Sequence, residues 1–464
     1  MIFKKALNKI NLPSRASLGY IGAGVIGKAV GLITTPFFTS YIDKDGYGIL
    51  TLYMTILGAC SIIISSFTSS GAIYDAFKRF ERNIREFTAS ALSLSFVFSL
   101  LICLLLFTFN GILGLSPYLI LILSLQILCD TITGVLLSRS RFKYSYFEVI
   151  LCTVIASVVS PLVSIFILMR FGGGYEIKIY SLLVISLIIS ISLLARESLD
   201  PAKPSIKMAK SLFKKALPII PKSASSALLS GADKLLISSL MGYAALAKYS
   251  VAHSVGIALQ FVVSASSSAL SPWIIRRLEA KEEGRIREIC AIIFSILCAM
   301  SLGISAIAPE AIDFLAPRDY VEASAAVLPI ALSVPISFLC YTISISLVKN
   351  NKGRFSAVAS IIGSICCVGF NMLFIPSFGF IGAGCALLFS ELITLGLSIL
   401  FTNKIGFDCV IPQKWYAVYS LSALLGVGIM MFQKFLAIRI FLLIIPAVIG
   451  LNGLLKAKEM IKER

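Results

Sequence analysis

Apolar residues follow one another in long stretches along almost the whole chain, interrupted by short polar segments. A bilayer core about 30 Å thick is crossed by about 20 helical residues. Open sheets cannot cross it, because their unpaired backbone groups would lie in lipid. The pattern therefore predicts fourteen membrane-spanning helices, near residues 17–40, 48–70, 87–109, 114–137, 147–169, 178–195, 215–241, 245–271, 288–308, 323–347, 355–375, 379–402, 415–432 and 436–455.

The composition agrees with an all-α polytopic membrane protein. Hydrophobic residues make up 58% of the 464 positions and charged residues only 14%, which is too little polar surface to coat a soluble globule. Lys and Arg outnumber Asp and Glu by 41 to 23, a balance that in a soluble protein would suggest nucleic acid. Here membrane topology explains the excess, and no nucleic-acid partner is expected.

The basic residues alternate from one connecting segment to the next. With the first span starting inside, 31 of the 41 fall on the inner side and seven on the outer side. Cytoplasmic loops retain Lys and Arg, so we expect both termini to be cytoplasmic.

A weak internal repeat divides the predicted spans. Tyr47-Gly48-Ile49-Leu50 follows the first span and Leu246-Ala247-Lys248-Tyr249 follows the seventh, while Phe171-Gly172-Gly173 and Phe378-Gly379-Phe380 precede the sixth and twelfth. Two pseudo-symmetric six-helix lobes of parallel orientation would produce this arrangement. We predict an N-terminal lobe at 1–200, a C-terminal lobe at 201–405, and two further helices with a cytoplasmic tail at 406–464.

Three basic residues lie inside predicted spans. Lys28, Lys222 and Lys234 each carry a charge that costs at least about 2.5–3.5 kcal/mol at the centre of a bilayer. Lys28 is too deep for its side chain to reach the interface, whereas Lys222 stands near a span end where it could. We predict that the three lysines line a cationic cavity and bind substrate; pairing with an acidic neighbour is the alternative.

The acidic residues at similar depth are Asp130, Asp233 and Glu391. Each could take part in ion coupling or in charge pairing. Asp233 and Lys234 are adjacent, so their side chains leave the helix about 100° apart and are not expected to share a partner. We expect Lys234 to face the cavity and Asp233 to meet a neighbouring helix. His253, the one histidine, is expected to join helices by a hydrogen bond rather than to relay protons.

No catalytic motif was found. The eleven cysteines lie mostly inside apolar stretches without metal-ligand spacing, and the chain has no phosphate-binding loop, HExxH motif or nucleophile elbow. We expect no enzymatic activity, no metal and no cofactor. Transport would then be driven by an H⁺ or Na⁺ gradient or by consumption of the product.

The chain resembles the polysaccharide-transporter branch of the MATE-like MOP superfamily, the Wzx-type O-antigen flippases. The resemblance lies in the fourteen helices, Tyr47-Gly48, the Asp233-Lys234 pair, Lys248-Tyr249-Ser250 and the glycine-rich Phe378–Gly384 segment. It implies a bacterial inner-membrane protein that moves an undecaprenyl-diphosphate-linked oligosaccharide by alternating access, next to polysaccharide polymerase and ligase machinery. The diphosphate would be drawn to the three lysines while the lipid tail stays in the bilayer.

Three other functions remain open at this stage. They are a lipid II flippase for peptidoglycan, an ion-coupled multidrug exporter of the same superfamily, and a membrane glycosyltransferase. The interior lysines argue against export of cationic drugs, and the short outer loops argue against a transferase.

Overall fold

A computed structural model describes residues 12–198, 202–280, 282–350 and 352–404, together with a few positions between 419 and 428. Within these ranges the secondary structure is helical, without strands. The principal helices are α1 (Leu12–Tyr41), α2 (Lys44–Thr68), α3 (Gly71–Arg79), α4 (Ile84–Thr108), α5 (Pro117–Phe142), α6 (Tyr146–Phe171), α7 (Glu176–Ser198), α8 (Ile206–Ala216), α9 (Ile220–Met241), α10 (Tyr243–Gly256), α11 (Gln260–Glu279), α12 (Glu283–Ala306), α13 (Ala308–Leu315), α14 (Val327–Lys349) and α15 (Gly353–Lys404).

Helices cover the first twelve predicted spans, and the all-α polytopic fold is confirmed. In the described part of the chain, nine helical segments are long and apolar enough to cross a membrane. One of these, Gly353–Asn403, holds two predicted spans in succession. The predicted spans at 415–432 and 436–455 lie outside the described residues, apart from the isolated positions named above.

Three shorter helices, α3, α8 and α13, were not predicted. They lie in connecting segments and place apolar residues on one face only, as Met208 and Leu212 of α8 illustrate. Such helices contain no continuous apolar stretch, because polar residues separate their apolar positions.

Glycines with a positive φ angle separate successive helices. Gly242 has a φ of 87° between α9 and α10, and Gly379 has a φ of 54° and a ψ of −128° inside α15. Residues with a Cβ atom are strained at such backbone angles, so glycine is suited to both positions. Gly379 thereby divides α15 into the two spans at 353–378 and 380–404. Gly172 lies between two spans and also has a positive φ, of 68°. In the internal repeat, Phe171-Gly172 is the counterpart of Phe378-Gly379.

The residue contacts divide the chain into two compact units, Met1–Gly231 and Ala232–Arg464. The division falls within α9, whereas the predicted lobe boundary lies in the preceding loop at residue 200. The division into segments 1–200, 201–405 and 406–464 therefore remains a prediction.

An aromatic cluster forms part of the core of the first unit. Phe77 packs edge-on against Phe87 with ring centroids 4.9 Å apart, and against Phe142 at 5.5 Å. The apolar face of α8 covers this cluster, and Lys215 at the end of α8 forms an ion pair with Asp75 of α3. An amphipathic helix therefore closes one end of the apolar bundle of this unit.

A hydrophobic core cluster of the second unit is formed mainly by α12 and α14, and α11 and the second half of α15 also contribute to it. Phe294, Leu297 and Phe338 are almost completely buried there.

Candidate functional site

Asp233 and Tyr249 form the centre of a buried polar cluster in the second unit. Tyr249 Oη donates a hydrogen bond of 2.7 Å to Asp233 Oδ2, and the backbone N–H of Lys234 donates one of 2.8 Å to Asp233 Oδ1. Asp233 is only 3% exposed and Tyr249 is fully buried. A buried carboxylate needs such donors, because isolated charges are costly away from water.

Lys234 and His253 complete the cluster. Lys234 Nζ lies 3.5 Å from Asp233 Oδ2 and 3.4 Å from His253 Nε2, which accepts a hydrogen bond when the ring is protonated at Nδ1. His253 Nε2 is 3.9 Å from Asp233 Oδ2. One turn of α10 separates Tyr249 from His253, so both face α9.

This geometry corrects one sequence-based expectation. Asp233 does meet the neighbouring helix α10, as predicted, but Asp233 and Lys234 both reach His253 although they are adjacent in α9. The long lysine side chain bends back toward Asp233, because the direction of the Cβ atom does not fix where the end of a flexible side chain lies. His253 joins α9 to α10, in agreement with the hydrogen-bonding role expected of it.

Lys222 lies near the start of α9 and its side chain is exposed. Among the described residues, no carboxylate oxygen lies within 4.0 Å of its ammonium group. Lys222 therefore differs from Lys234, whose charge Asp233 offsets.

Lys28 lies within α1, but its side chain is outside the described part of the structure. Its neighbour Gly27 approaches α6 closely: a Cβ atom at Gly27 would lie 3.0 Å from Ser157 Cβ. Ser157 belongs to a single π-helical turn, Ile155–Val159, within α6. Such turns are frequent at functional sites. At Gly24 and Gly31, in contrast, an added Cβ would meet nothing within 4 Å.

Asp130 lies in the first unit. Gln126 Nε2 donates hydrogen bonds to Asp130 Oδ1 at 3.0 Å and to Ser186 Oγ of α7 at 2.6 Å. No basic side chain of the described residues lies within 4.0 Å of this carboxylate. The contacts place Asp130 in a polar connection between α5 and α7.

Glu391 lies in the second half of α15 and is partly buried. Cys340 Sγ of α14 lies 3.9 Å from its backbone carbonyl oxygen. Where side chains are described, none with a positive charge comes within 4.0 Å of the Glu391 carboxylate. The two alternatives for Asp130 and Glu391, ion coupling and charge pairing, remain predictions.

Tyr249 and Asn371 are buried polar residues that were not among the site residues predicted from the sequence. Tyr249 belongs to a motif already noted, and its spacing of four residues from His253 was a usable signal. Asn371 of α15 is fully buried; its Nδ2 donates to the Cys367 carbonyl at 2.8 Å, and its Oδ1 has no partner among the described residues. A lone amide in an apolar helix is a weak sequence signal.

Comparison with known families identifies sequence relatives. The profile of the family described as polysaccharide biosynthesis protein matches residues 15–278, more than half of the chain, and the MatE profile matches residues 218–373. The chain is 24% identical over 390 residues, 80% of its length and 80% of the relative's, to a protein named probable low-salt glycan biosynthesis flippase Agl15 from Haloferax volcanii.

Solved structures share the fold. The lipid II flippase MurJ in an inward closed conformation superposes with a TM-score of 0.71 at 16% identity, covering 96% of this chain and 99% of that one. An inward-facing multidrug resistance MATE transporter of the MOP superfamily gives a TM-score of 0.65 at 12% identity, covering 85% and 96%. A MOP superfamily transporter from Pyrococcus furiosus, described as having a binding pocket of reversed polarity, gives 0.56 at 14% identity, covering 85% and 97%. The predicted MATE-like fold is confirmed.

Proposed function

We propose, since this chain belongs to the polysaccharide biosynthesis protein family, that it is a flippase for a lipid-linked glycan. Its cargo in this proposal is an oligosaccharide repeat unit on undecaprenyl diphosphate, moved across the bacterial cytoplasmic membrane for O-antigen or another surface polysaccharide. The observation that carries the proposal is the family match over residues 15–278, supported by a glycan flippase relative that aligns over 80% of the chain.

The lysines inside the spans support an anionic cargo. Lys28 of α1 and Lys222 of α9 are the positions that we assign to attraction of the diphosphate. A lysine ammonium acts as a point charge, so it can hold a phosphate group without the fixed bidentate geometry of arginine and can release it again. Lys234 has a supporting role, because Asp233 at 3.5 Å offsets its charge.

The transport cycle that we propose is alternating access without ATP hydrolysis. It draws its free energy from an ion gradient, or from the polymerase and ligase that consume the glycan on the outer face. Asp130, Asp233 and Glu391 are the carboxylates available for coupling to H⁺ or Na⁺. In this proposal the chain is a transporter rather than an enzyme.

Deletion of the gene tests this function directly. We expect loss of the surface polysaccharide and accumulation of its lipid-linked repeat unit, because the flippase step lies between synthesis and polymerisation. Complementation with Lys28→Ala should fail, and Lys28→Arg should restore part of the polysaccharide, since arginine keeps the charge. Lys207→Ala, on the exposed face of α8, is the matched control and should complement fully.

Two outcomes would contradict the proposal. Normal surface polysaccharide in the deletion strain would exclude the function. Accumulation of peptidoglycan precursors, or increased sensitivity to cationic drugs with the polysaccharide intact, would instead assign the chain to lipid II transport or to drug export.

A further inference from the structure

The turn between α5 and α6 has an unusual backbone. Ser145 N donates to the Ser140 carbonyl at 2.8 Å and Tyr144 N donates to the Arg141 carbonyl at 3.1 Å, the pair of bonds that closes a helix C-terminus in a Schellman motif. The left-handed position of this motif is normally glycine. Here it is Tyr144, with a φ of 57°.

Tyr144 is the one non-glycine residue with a positive φ in the described part of the chain. Left-handed backbone is unfavourable for residues with a Cβ, and strain of this kind tends to mark functional positions. The Tyr144 side chain lines a cavity of about 580 Å³ together with Tyr74, Phe142, Arg141 and the carboxylate of Glu81. The strained backbone thus places an aromatic ring at a cavity of ligand size.

A smaller cavity of about 70 Å³ adjoins the same turn and is lined by charged side chains. Two of its cations are paired: Arg196 Nη1 lies 2.7 Å from Glu148 Oε1, and Arg139 forms an ion pair with Glu197. Both carboxylates of this cavity are therefore occupied by arginines.

Lys143 lines both cavities and is the third cation of the smaller one. No carboxylate oxygen lies within 4.0 Å of its ammonium group among the residues that the structure describes. Partial burial, and then the positive charge of Arg139, lower the pKa of Lys143. An anion next to Lys143 would relieve this excess of positive charge.

The surroundings of the turn favour a lipid as the source of that anion. Residues 143–145 connect two segments of spanning length, Pro117–Phe142 and Tyr146–Phe171, so they lie at the level of the headgroups. Phe147 is 72% exposed and Tyr144 is 52% exposed, as expected for aromatic side chains at a membrane interface. The basic segments predict that this turn is cytoplasmic, and anionic lipids are abundant in that leaflet.

We propose that Lys143 and the two cavities beside it form a binding site for the headgroup of an anionic phospholipid. The lipid phosphate lies against Lys143 at the smaller cavity, and the rest of the headgroup packs against the aromatic rings of the larger one. The site lies wholly in the first unit and is distinct from the cluster around Asp233.

Binding of short-chain phosphatidylglycerol to the full-length protein in detergent tests the site, with phosphatidylcholine and inorganic phosphate as comparison probes. Lys143→Gln should weaken phosphatidylglycerol binding about fivefold, since this is the change in affinity that one basic residue near an anionic membrane surface typically contributes. Tyr144→Gly should also weaken binding while leaving the melting temperature unchanged or higher, because it relieves the backbone strain. Lys207→Gln is the matched control on the same face of the membrane and should bind as the unmodified protein does.

Three results would overturn the proposal. Equal binding of phosphatidylglycerol by Lys143→Gln and by the unmodified protein would remove Lys143 from any site. Equal binding of phosphatidylcholine would exclude selection of an anionic headgroup. Displacement of the lipid by an equal concentration of inorganic phosphate would assign the site to a free anion.

Discussion

Asp233 and Lys234 form a buried ion pair in which each partner depends on the other. Their side chains are 4% and 11% exposed, and Tyr249 and His253 supply the remaining polar contacts. Removal of one member of a buried pair is strongly destabilising, since it leaves the other charge without compensation. The role of Lys234 in transport must therefore be separated from its role in stability.

Lys234→Ala should lower stability by about 3–5 kcal/mol, because the Asp233 carboxylate would remain buried without its cation. The double variant Asp233→Asn with Lys234→Gln removes both charges and should recover most of that loss. Thermal unfolding of the purified variants, together with protein levels in the membrane, measures both effects. If the single and double variants were equally stable, the pair would not contribute to folding as we describe.

Helix α15 shows how one glycine determines the course of a long apolar segment. The two predicted spans within it are joined without a polar loop, and the change of direction depends on Gly379, with its φ of 54° and ψ of −128°. The close approach of α1 to α6 at Gly27 similarly depends on the absence of a side chain. In both cases a position without a Cβ determines where a helix runs.

Gly379→Ala should destabilise the protein by about 1–3 kcal/mol, the usual cost of holding a residue with a Cβ in a sparsely populated backbone region. Gly396→Ala is the matched control in the same helix: its added Cβ would meet nothing within 4 Å, and alanine favours the helix. Melting temperatures of the two variants give the comparison. A melting temperature for Gly379→Ala equal to that of Gly396→Ala would show that the backbone at residue 379 is unstrained.

The chain as a whole is a multi-pass membrane protein with two compact units. Several carboxylates in the segments predicted to be cytoplasmic are paired with basic residues, as Lys215 with Asp75 and Lys349 with Glu279 illustrate. At Glu279, the hydrogen bond and the charge of Lys349 lower the pKa of the carboxyl group, so the pair persists to a lower pH than an unpaired carboxyl group would allow. Each such pair takes up one carboxylate and one basic residue, so the excess of basic residues stays unpaired, and residues such as Lys143 and Lys222 are left for anionic lipids or substrates.

The orientation of the whole chain is tested by reporter fusions. A fusion at Lys143 should place its reporter in the cytoplasm, and one at Gly172, a single span later, should place it outside, because the basic residues alternate in this sense. Green fluorescent protein and alkaline phosphatase report the two sides independently. The reverse pattern, with an active phosphatase at Lys143, would contradict the predicted polarity and the cytoplasmic position of the proposed lipid site.

The order of residues alone was enough to predict the fold class, helices at the first twelve predicted spans and the family resemblance. The fold class and the helices follow from the length of apolar stretches, which is a local property: a helix in lipid satisfies its own backbone, so its existence does not depend on its neighbours. The short helices α3, α8 and α13 were not predicted, because their apolar residues are spaced along one face and form no continuous stretch.

Which charges are compensated depends on how the helices pack. Lys234 bends back to Asp233 and reaches His253, and Arg139 and Arg196 occupy both carboxylates of the smaller cavity beside Lys143. These partners lie on other helices or depend on side-chain conformation, and the spacing of residues in one chain does not specify which helices meet. The sequence therefore predicted where charges enter the membrane, and the packing of helices determined which of them are available to a ligand.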